Sequence, residues 1–203
     1  VTGARAVLWD FGNVLVDWNP RRLYSKLIQS DAAVDDFLGG VCTMGWHQAH
    51  DRGVPMADNR RALIEAHPDK AELILAWDTR WAEMFNGWVA GMEALVAELE
   101  TAGVPQYGLT NYPAEKIAHL YEILPALTRF RDVIVSGDEG VVKPDPAIYA
   151  IARARIGVDP GEVIFVDDRE ENVRAARTAG FQAELFTGAP AAREALRTRG
   201  LPV

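Results

Sequence analysis

Ala6-Val7-Leu8-Trp9-Asp10-Phe11-Gly12-Asn13 is the stretch on which the fold turns. Its first four residues are apolar and β-prone, and they stop abruptly at an aspartate followed by turn-forming residues. The reading is a buried strand that delivers Asp10 to an acidic loop at its carboxyl end. Beyond Asn86-Gly87 the same texture returns in alternation with helical periodicity. A helix from Met92 to Thr101 stops at Gly103, and a strand runs through Tyr107-Gly108-Leu109 to Thr110. Helix Ala114 to Tyr121, strand Asp132 to Ser136, helix Pro146 to Arg155, strand Val163 to Val166, helix Asn172 to Thr178 and strand Phe181 to Phe186 follow in order. Strands separated by helices need crossover connections, so the expected fold is α/β, a doubly wound, Rossmann-like parallel sheet covered on both faces.

Between the first strand and this alternation, from Arg21 to about Ala90, the texture is helical throughout. Leu23, Leu27 and Ile28 share a face, and Ser30 or Asp31 is placed to cap a segment through Leu38 that Gly39-Gly40 breaks. Further helices are expected from Met56 to Ala66 and from Asp69 to Phe85, divided by His67-Pro68. The predicted organisation is a catalytic core of residues 1–17 and 88–203 with a helical cap, residues 18–87, inserted after the first strand.

The chain has 203 residues, 49% of them hydrophobic, which suffices for a sizeable core. Its formal net charge of −8 opposes binding to phosphate backbones or anionic membranes. Nucleic acid and membrane are therefore not expected partners, and a phosphorylated ligand needs locally placed cations. One cysteine, Cys42, suits a reducing compartment and reads as a small buried residue. No run approaches the ~18 apolar residues of a membrane span. A cytoplasmic monomer or homodimer is expected.

In doubly wound sheets ligands bind at the carboxyl ends of the strands, and polar residues cluster there. Asp10 follows the first strand, Thr110-Asn111 the second, and Asp167-Asp168 follows Val163 to Val166. Lys143 sits beyond the strand that ends near Ser136, in Val142-Lys143-Pro144-Asp145-Pro146. Two acidic loops facing each other repel unless a cation lies between them, and hard oxygen ligands near a phosphate favour Mg²⁺. A carboxylate attacks phosphorus when the charge of the incoming group is neutralised by Mg²⁺, a lysine and hydroxyl or amide donors. Asp10, Lys143 and Thr110 fit the roles of nucleophile, cation and hydroxyl donor.

These segments resemble the haloacid dehalogenase superfamily, in its phosphatase branch with a helical cap. The resemblance lies in Trp9-Asp10-Phe11-Gly12-Asn13-Val14-Leu15, in Gly108-Leu109-Thr110-Asn111, in Val142-Lys143-Pro144-Asp145-Pro146-Ala147-Ile148-Tyr149 and in Phe165-Val166-Asp167-Asp168-Arg169-Glu170-Glu171-Asn172. Within that branch the chain looks most like sugar-1-phosphate phosphatases and the phosphatase half of soluble epoxide hydrolases. The resemblance implies Asp10 as nucleophile, Thr110 and Asn111 as phosphate-binding groups, and Lys143 bound to both phosphate and nucleophile. It implies Asp168 as a direct Mg²⁺ ligand with Asp10, Asp167 supporting through water, and the Gly12 carbonyl as a further ligand. It also implies Asn172 as a substrate-side residue that buttresses the same loop.

One position departs from the pattern. The superfamily's second loop aspartate, which protonates the leaving group and later activates water, is replaced by Gly12. A general acid/base is worth roughly 10²–10⁴ in rate. Its absence favours leaving groups that need little proton assistance, such as the anomeric oxygen of a sugar-1-phosphate. The expected activity is hydrolysis of small phosphate monoesters, sugar phosphates foremost, through an aspartyl-phosphate on Asp10. The alternatives are a catalytically weak phosphate- or metabolite-binding protein and a metal-independent 2-haloacid dehalogenase, which gains nothing from paired aspartates. In the cap, Trp46, His47, His50 and Arg52 form one cluster in sequence, and Trp77, Arg80 and Trp81 another. Core packing is the default for the tryptophans, with stacking on a sugar or base as the functional option, and the histidines read as surface residues. Arg193, Arg197 and Arg199 read as a solvated helix face.

Overall fold

The structure is a computed structural model that describes residues 3–203, so the first two residues of the expected 1–17 core segment lie outside the described residues. Among the described residues there are seven strands: β1 (Ala6–Trp9), β2 (Val16–Trp18), β3 (Phe85–Trp88), β4 (Gln106–Thr110), β5 (Asp132–Val135), β6 (Val163–Asp167) and β7 (Gln182–Leu185). Five of them form one parallel sheet in the order β5-β4-β1-β6-β7. β1 lies at its centre, hydrogen-bonded to β4 on one side and β6 on the other, with Leu8 opposite Tyr107 and Phe165. This is the doubly wound α/β architecture that the alternation of strands and helices dictates.

The period-two side-chain alternation sorts the core into two layers. Ala6, Leu8, Tyr107, Leu109 and Phe165 face the helices Pro146–Ile156 and Glu170–Thr178 through Tyr149, Ala152 and Val173. Val7, Trp9, Ile164 and Val166 face the other way, toward Leu95, Leu99 and Leu196 of the helices Met92–Thr101 and Ala189–Thr198. A central strand buried on both faces must be apolar at every position, which is why Ala-Val-Leu-Trp stands where it does. Trp9 still carries one polar atom, and its indole Nε1 donates to Gln106 Oε1 at 3.0 Å while Gln106 Nε2 donates to Val96 O at 2.9 Å.

The inserted segment differs from an all-helical block. The helix expected from Asp69 to Phe85 ends at Thr79, and a 3₁₀ turn, Trp81–Met84, leads into β3. β3 pairs antiparallel with β2, Val16 opposite Trp88 and Trp18 opposite Phe85, so a two-stranded ribbon carries the chain out of the sheet and back. Local helical propensity of Trp81-Ala82-Glu83-Met84 yields there to a pairing with residues more than sixty positions away, a term invisible in a local window. Helix Asp31–Gly40 is capped by the Ser30 side chain, which accepts from Ala33 N at 3.3 Å. It runs through Gly39-Gly40 rather than breaking before them.

The two sequence clusters of the insert are one cluster in space. Trp46 meets Trp77 edge-on at 5.4 Å, His47 lies 5.3 Å from Trp77 and 5.7 Å from Trp81, and Trp18 stacks on His47 at 5.5 Å. Contrary to the surface reading, His47 and His50 are buried. Their rings are flat enough to fill gaps between indoles, and hydrogen bonds described below engage both nitrogens of His50 and Nδ1 of His47. Cys42 is buried, and burial pushes its thiol up to about 12, away from reactivity. On helix Ala189–Thr198, Arg193 pairs with Glu98 and Arg197 with Glu194, while Arg199 just beyond it pairs with Glu184. Among the described residues no helix is long and apolar enough to cross a membrane.

Candidate active site

β1 delivers Asp10 one residue past its end, where its backbone N–H still donates to Val166 O of β6 at 2.9 Å. The next residue fixes the loop. Phe11 is fully buried and its ring crosses β4 over Gly108, so closely that a Cβ on Gly108 would stand 2.4 Å from Phe11 Cζ. Gly108 is glycine because the aromatic ring occupies the place of its side chain. The turn is closed by Asn13, whose φ of 57° is left-handed, a region that asparagine tolerates better than most residues.

The side chain of Asp10 is oriented by two donors on one oxygen. Lys143 Nζ lies 2.8 Å from Oδ1 and the Phe11 N–H donates to the same atom at 2.7 Å. Among the described residues Oδ2 accepts no hydrogen bond. Lys143 is buried, and its ammonium uses all three donors: Asp10 Oδ1, Asp167 Oδ2 at 2.7 Å and Leu109 O at 2.8 Å. Its loop is held by Asn111, whose Oδ1 accepts from Lys143 N at 2.8 Å and whose Nδ2 donates to Lys143 O at 3.1 Å. Thr110 is the buried last residue of β4, and Asn111 beyond it lines the cavity.

Asp167 is fully buried at the end of β6 and is saturated by its neighbours. Asn172 Nδ2 donates to both its oxygens at 2.9 and 3.0 Å, Arg169 N to Oδ1 at 2.8 Å, and Lys143 to Oδ2. Asp168 is the exposed member of the pair and lines the cavity. One carboxylate oxygen each of Asp10, Asp167 and Asp168 falls within 4.8 Å of the others. Three negative charges against one ammonium leave an excess of two. Burial, opposed by Lys143 and reinforced by Asp167 and Asp168, pushes the Asp10 carboxyl up to about 8. Burial and Asp167 likewise raise Asp168. Burial works against the Lys143 charge, but Asp10 and Asp167 outweigh it and hold the ammonium above its usual range. An all-oxygen donor set that lacks two positive charges fits a hard divalent cation such as Mg²⁺. Gly12, beside it, has open space where a Cβ would be, so no packing demand excludes a side chain there.

Above these residues lies a cavity of ≈ 380 Å³. Its floor includes Asp10, Gly12, Lys143 and Asp168, and its walls come from the insert and the ribbon, with Trp18, Met44, Trp81 and Phe85 giving an apolar face. Asp51, at the end of helix Met44–Asp51, also lines it. Asp51 is absent from the sequence-level site set because nothing in its local context marks it. The one available signal, a carboxylate beside His47 and His50 on a helix of mixed polarity, reads equally well as a solvated face.

A parallel α/β sheet thus presents a clamped carboxylate, a buried lysine and a second acidic pair at its carboxyl edge, where folds of this class bind their ligands. Residues 4–180 match the haloacid dehalogenase-like hydrolase family, and the chain belongs to it. It is 29% identical over 179 residues to a sesquiterpene phosphatase from Aspergillus oryzae, a match that spans 88% of each chain. It is 29% identical over 197 residues to an N-acetylmuramic acid 6-phosphate phosphatase from Pseudomonas aeruginosa, covering 87% of this chain and 78% of that one. In fold it resembles a family enzyme from Bacteroides thetaiotaomicron solved with magnesium and inorganic phosphate, with a TM-score of 0.69 at 20% identity over 92% of this chain and 96% of that one.

Proposed function

We propose that this hydrolase is a Mg²⁺-dependent phosphomonoesterase that works through an aspartyl-phosphate on Asp10. The observation that carries the reading is the clamp on Asp10 Oδ1 by Lys143 Nζ and Phe11 N, which leaves Oδ2 free beside an acidic pair lacking two positive charges. Asp10 Oδ2 attacks phosphorus while Lys143 offsets the charge that builds at the reacting centre. Asn111 keeps the Lys143 loop in register, and Thr110 closes the strand from which the phosphate is approached. Asn172 holds Asp167, which in turn holds Lys143. Asp10, Asp168 and the Gly12 carbonyl are the residues that would hold Mg²⁺, with Asp167 behind them; the ion supplies charge neutralisation at the phosphoryl oxygens. Residues 18–87 act as a cap that closes the cavity and keeps water and bulky phosphoproteins out.

The substrate class is small phosphorylated metabolites, sugar phosphates first. Aromatic side chains beside polar Asn13, Gln48 and Arg169 suit the two faces of a sugar ring. One relative bears the name of a sugar phosphate and another that of a sesquiterpene, and the apolar wall gives the second class a specific footing. A 2-haloacid dehalogenase has no use for the excess negative charge at Asp168, which argues against that chemistry here. The deciding assay measures phosphate release from sugar phosphates, prenyl phosphates and an aryl phosphate, with Mg²⁺ or with chelator, against Asp10→Asn. The expected result is Mg²⁺-dependent release at least 10²-fold above the variant, about the rate a positioned catalytic group contributes, and an acid-stable phosphoryl label on the wild-type chain alone. Release no faster than Asp10→Asn assigns the chain to binding rather than turnover.

A further inference from the structure

The phosphatase chemistry needs a proton donor at the leaving oxygen, and Gly12 has no side chain to provide it. We propose that Asp51, presented from the inserted segment, is the general acid and base that the nucleophile loop lacks. This rests on the phosphatase reading and supplies the one role that the core leaves open.

Asp51 shares the cavity with Asp10 and Lys143, its residue is 7% exposed, and its Oδ1 is buried without a hydrogen-bond partner. A carboxyl so placed without function is costly, since burial strips its hydration and the nearest donor, His47 Nε2, stands 3.5 Å away without forming a hydrogen bond to it. Its position is fixed by the core. Ser136 Oγ donates to Asp51 O at 2.6 Å and itself accepts from Tyr112 N at 3.0 Å, which ties the helix end to the loops after β4 and β5. Two residues on, Gly53 has a φ of +88° and packs so tightly that a Cβ would stand 2.7 Å from Gly137 O. The acid is thus carried by the insert but registered against the sheet.

A buried wire sets what faces it. Asn59 Nδ2 donates to Trp46 O at 3.0 Å, a partner that only accepts, and the same nitrogen meets His50 Nε2 at 2.9 Å. His50 therefore holds its proton on Nδ1 and donates it to His47 Nδ1 at 3.2 Å. His47 is left with its proton on Nε2, pointing at Asp51 Oδ1 from 3.5 Å. Burial keeps both rings neutral, with His47 lowered to about 3 and His50 to about 4. His47 is a positioning residue: its N–H dipole faces the Asp51 carboxylate from 3.5 Å and favours the charged form without surrendering a proton. The groups facing Asp51 are Lys143 from the core, Arg52 and His47 from its own segment, and Tyr112 from the loop after β4. Burial outweighs the two cations and pushes Asp51 up to about 7, where both protonation states are populated near neutrality.

The steps balance. As the Asp10 Oδ2–P bond forms and the P–O(ester) bond breaks, protonated Asp51 gives its proton to the departing oxygen and an alcohol leaves. Carboxylate Asp51 then takes a proton from water as that water attacks phosphorus, releasing inorganic phosphate and regenerating both aspartates. The test is rapid-quench kinetics of the full chain with Mg²⁺ on 4-nitrophenyl phosphate, whose leaving group needs no proton, and on glycerol phosphate, whose leaving group does. For Asp51→Asn we expect the aryl burst to persist while its steady state falls about 10²–10⁴-fold, and glycerol phosphate to give neither burst nor turnover. Adding Gly12→Asp to Asp51→Asn restores turnover of both esters. His47→Phe, which keeps the stack on Trp18, moves the acid limb of aryl turnover to higher pH. Glycerol phosphate turnover by Asp51→Asn within about threefold of wild type, well short of the range a general acid supplies, overturns the assignment. Burst and steady state falling together with no Gly12→Asp rescue also overturn it, and an unmoved limb in His47→Phe does so even if Asp51→Asn folds poorly. Wild-type chain that releases phosphate from neither ester removes the phosphatase reading itself, and the inference with it.

Discussion

At the scale of single residues the site is governed by charge balance around Lys143. Its ammonium separates Asp10 from Asp167, and both carboxylates lean on it at 2.8 and 2.7 Å. Removing one member of such a buried set leaves the others uncompensated, which typically costs about 3–5 kcal/mol. Lys143→Met is therefore expected to lower the unfolding free energy, read from urea titration, by that amount and to drop phosphate release to the level of Asp10→Asn. Lys143→Arg does not rescue it, because a planar fork cannot replace three converging N–H donors. Gly12 is the converse case. A Cβ there meets nothing within 4 Å, so the uncharged Gly12→Ala is expected to fold with an unchanged melting temperature.

At the scale of elements, the loop that carries Asp10 is aimed by its contact with the neighbouring strand β4. The Phe11 ring lies on Gly108 of β4 and meets Phe130 edge-on at 6.0 Å, so the turn after β1 is locked by a contact across the sheet. Gly108→Ala forces the ring to move, and overpacking of this kind costs about 1–3 kcal/mol. Because Phe11 N also holds Asp10 Oδ1, the same variant is expected to lose turnover out of proportion to its loss of stability, read as kcat measured well below its melting transition. The histidine pair is a second element-scale device. In the unfolded chain His47 and His50 take protons near 6.5, whereas folded they do so only near about 3 and about 4. Between those values the unfolded chain binds more protons, so this contribution falls as pH drops below about 6.5. Asp51 acts with the opposite sign, keeping its proton to about 7 when folded, so its contribution falls as pH rises from 3.8. Replacing His50 by Phe is expected to flatten the acid side of the stability profile, checked by urea midpoints at pH 7 and pH 5.

For the molecule as a whole, the proposed Mg²⁺ site at the acidic edge links folding to the divalent ion. A ligand present at a hundred times its dissociation constant stabilises by about 2.7 kcal/mol. Mg²⁺ is expected to raise the thermal midpoint of the wild type accordingly, while sodium at equal ionic strength does not. Asp168→Asn abolishes that shift. Without the ion the variant is as stable as the wild type or more so, since one like charge beside Asp167 is gone. Calorimetry with and without Mg²⁺ reads both outcomes.

The α/β sheet was legible in the sequence, and so was the placing of Asp10 and the Asp167-Asp168 pair at its carboxyl edge, because each lies at the end of a strand whose apolar run marks it, whereas Lys143 stands in a loop well beyond β5. Residue type and position relative to a strand terminus are local properties, and a linear reading captures them. What the sequence left open depended on contacts between distant segments. The ribbon of β2 and β3, the burial of His47 and His50 between indoles, and the approach of Asp51 to the cavity are all products of pairing and docking across many residues. A helix in isolation does not record which of its faces will be covered. Only packing the insert against the sheet's carboxyl edge decides that Asp51 loses its water while Asp168, beside the same cavity, keeps part of its own.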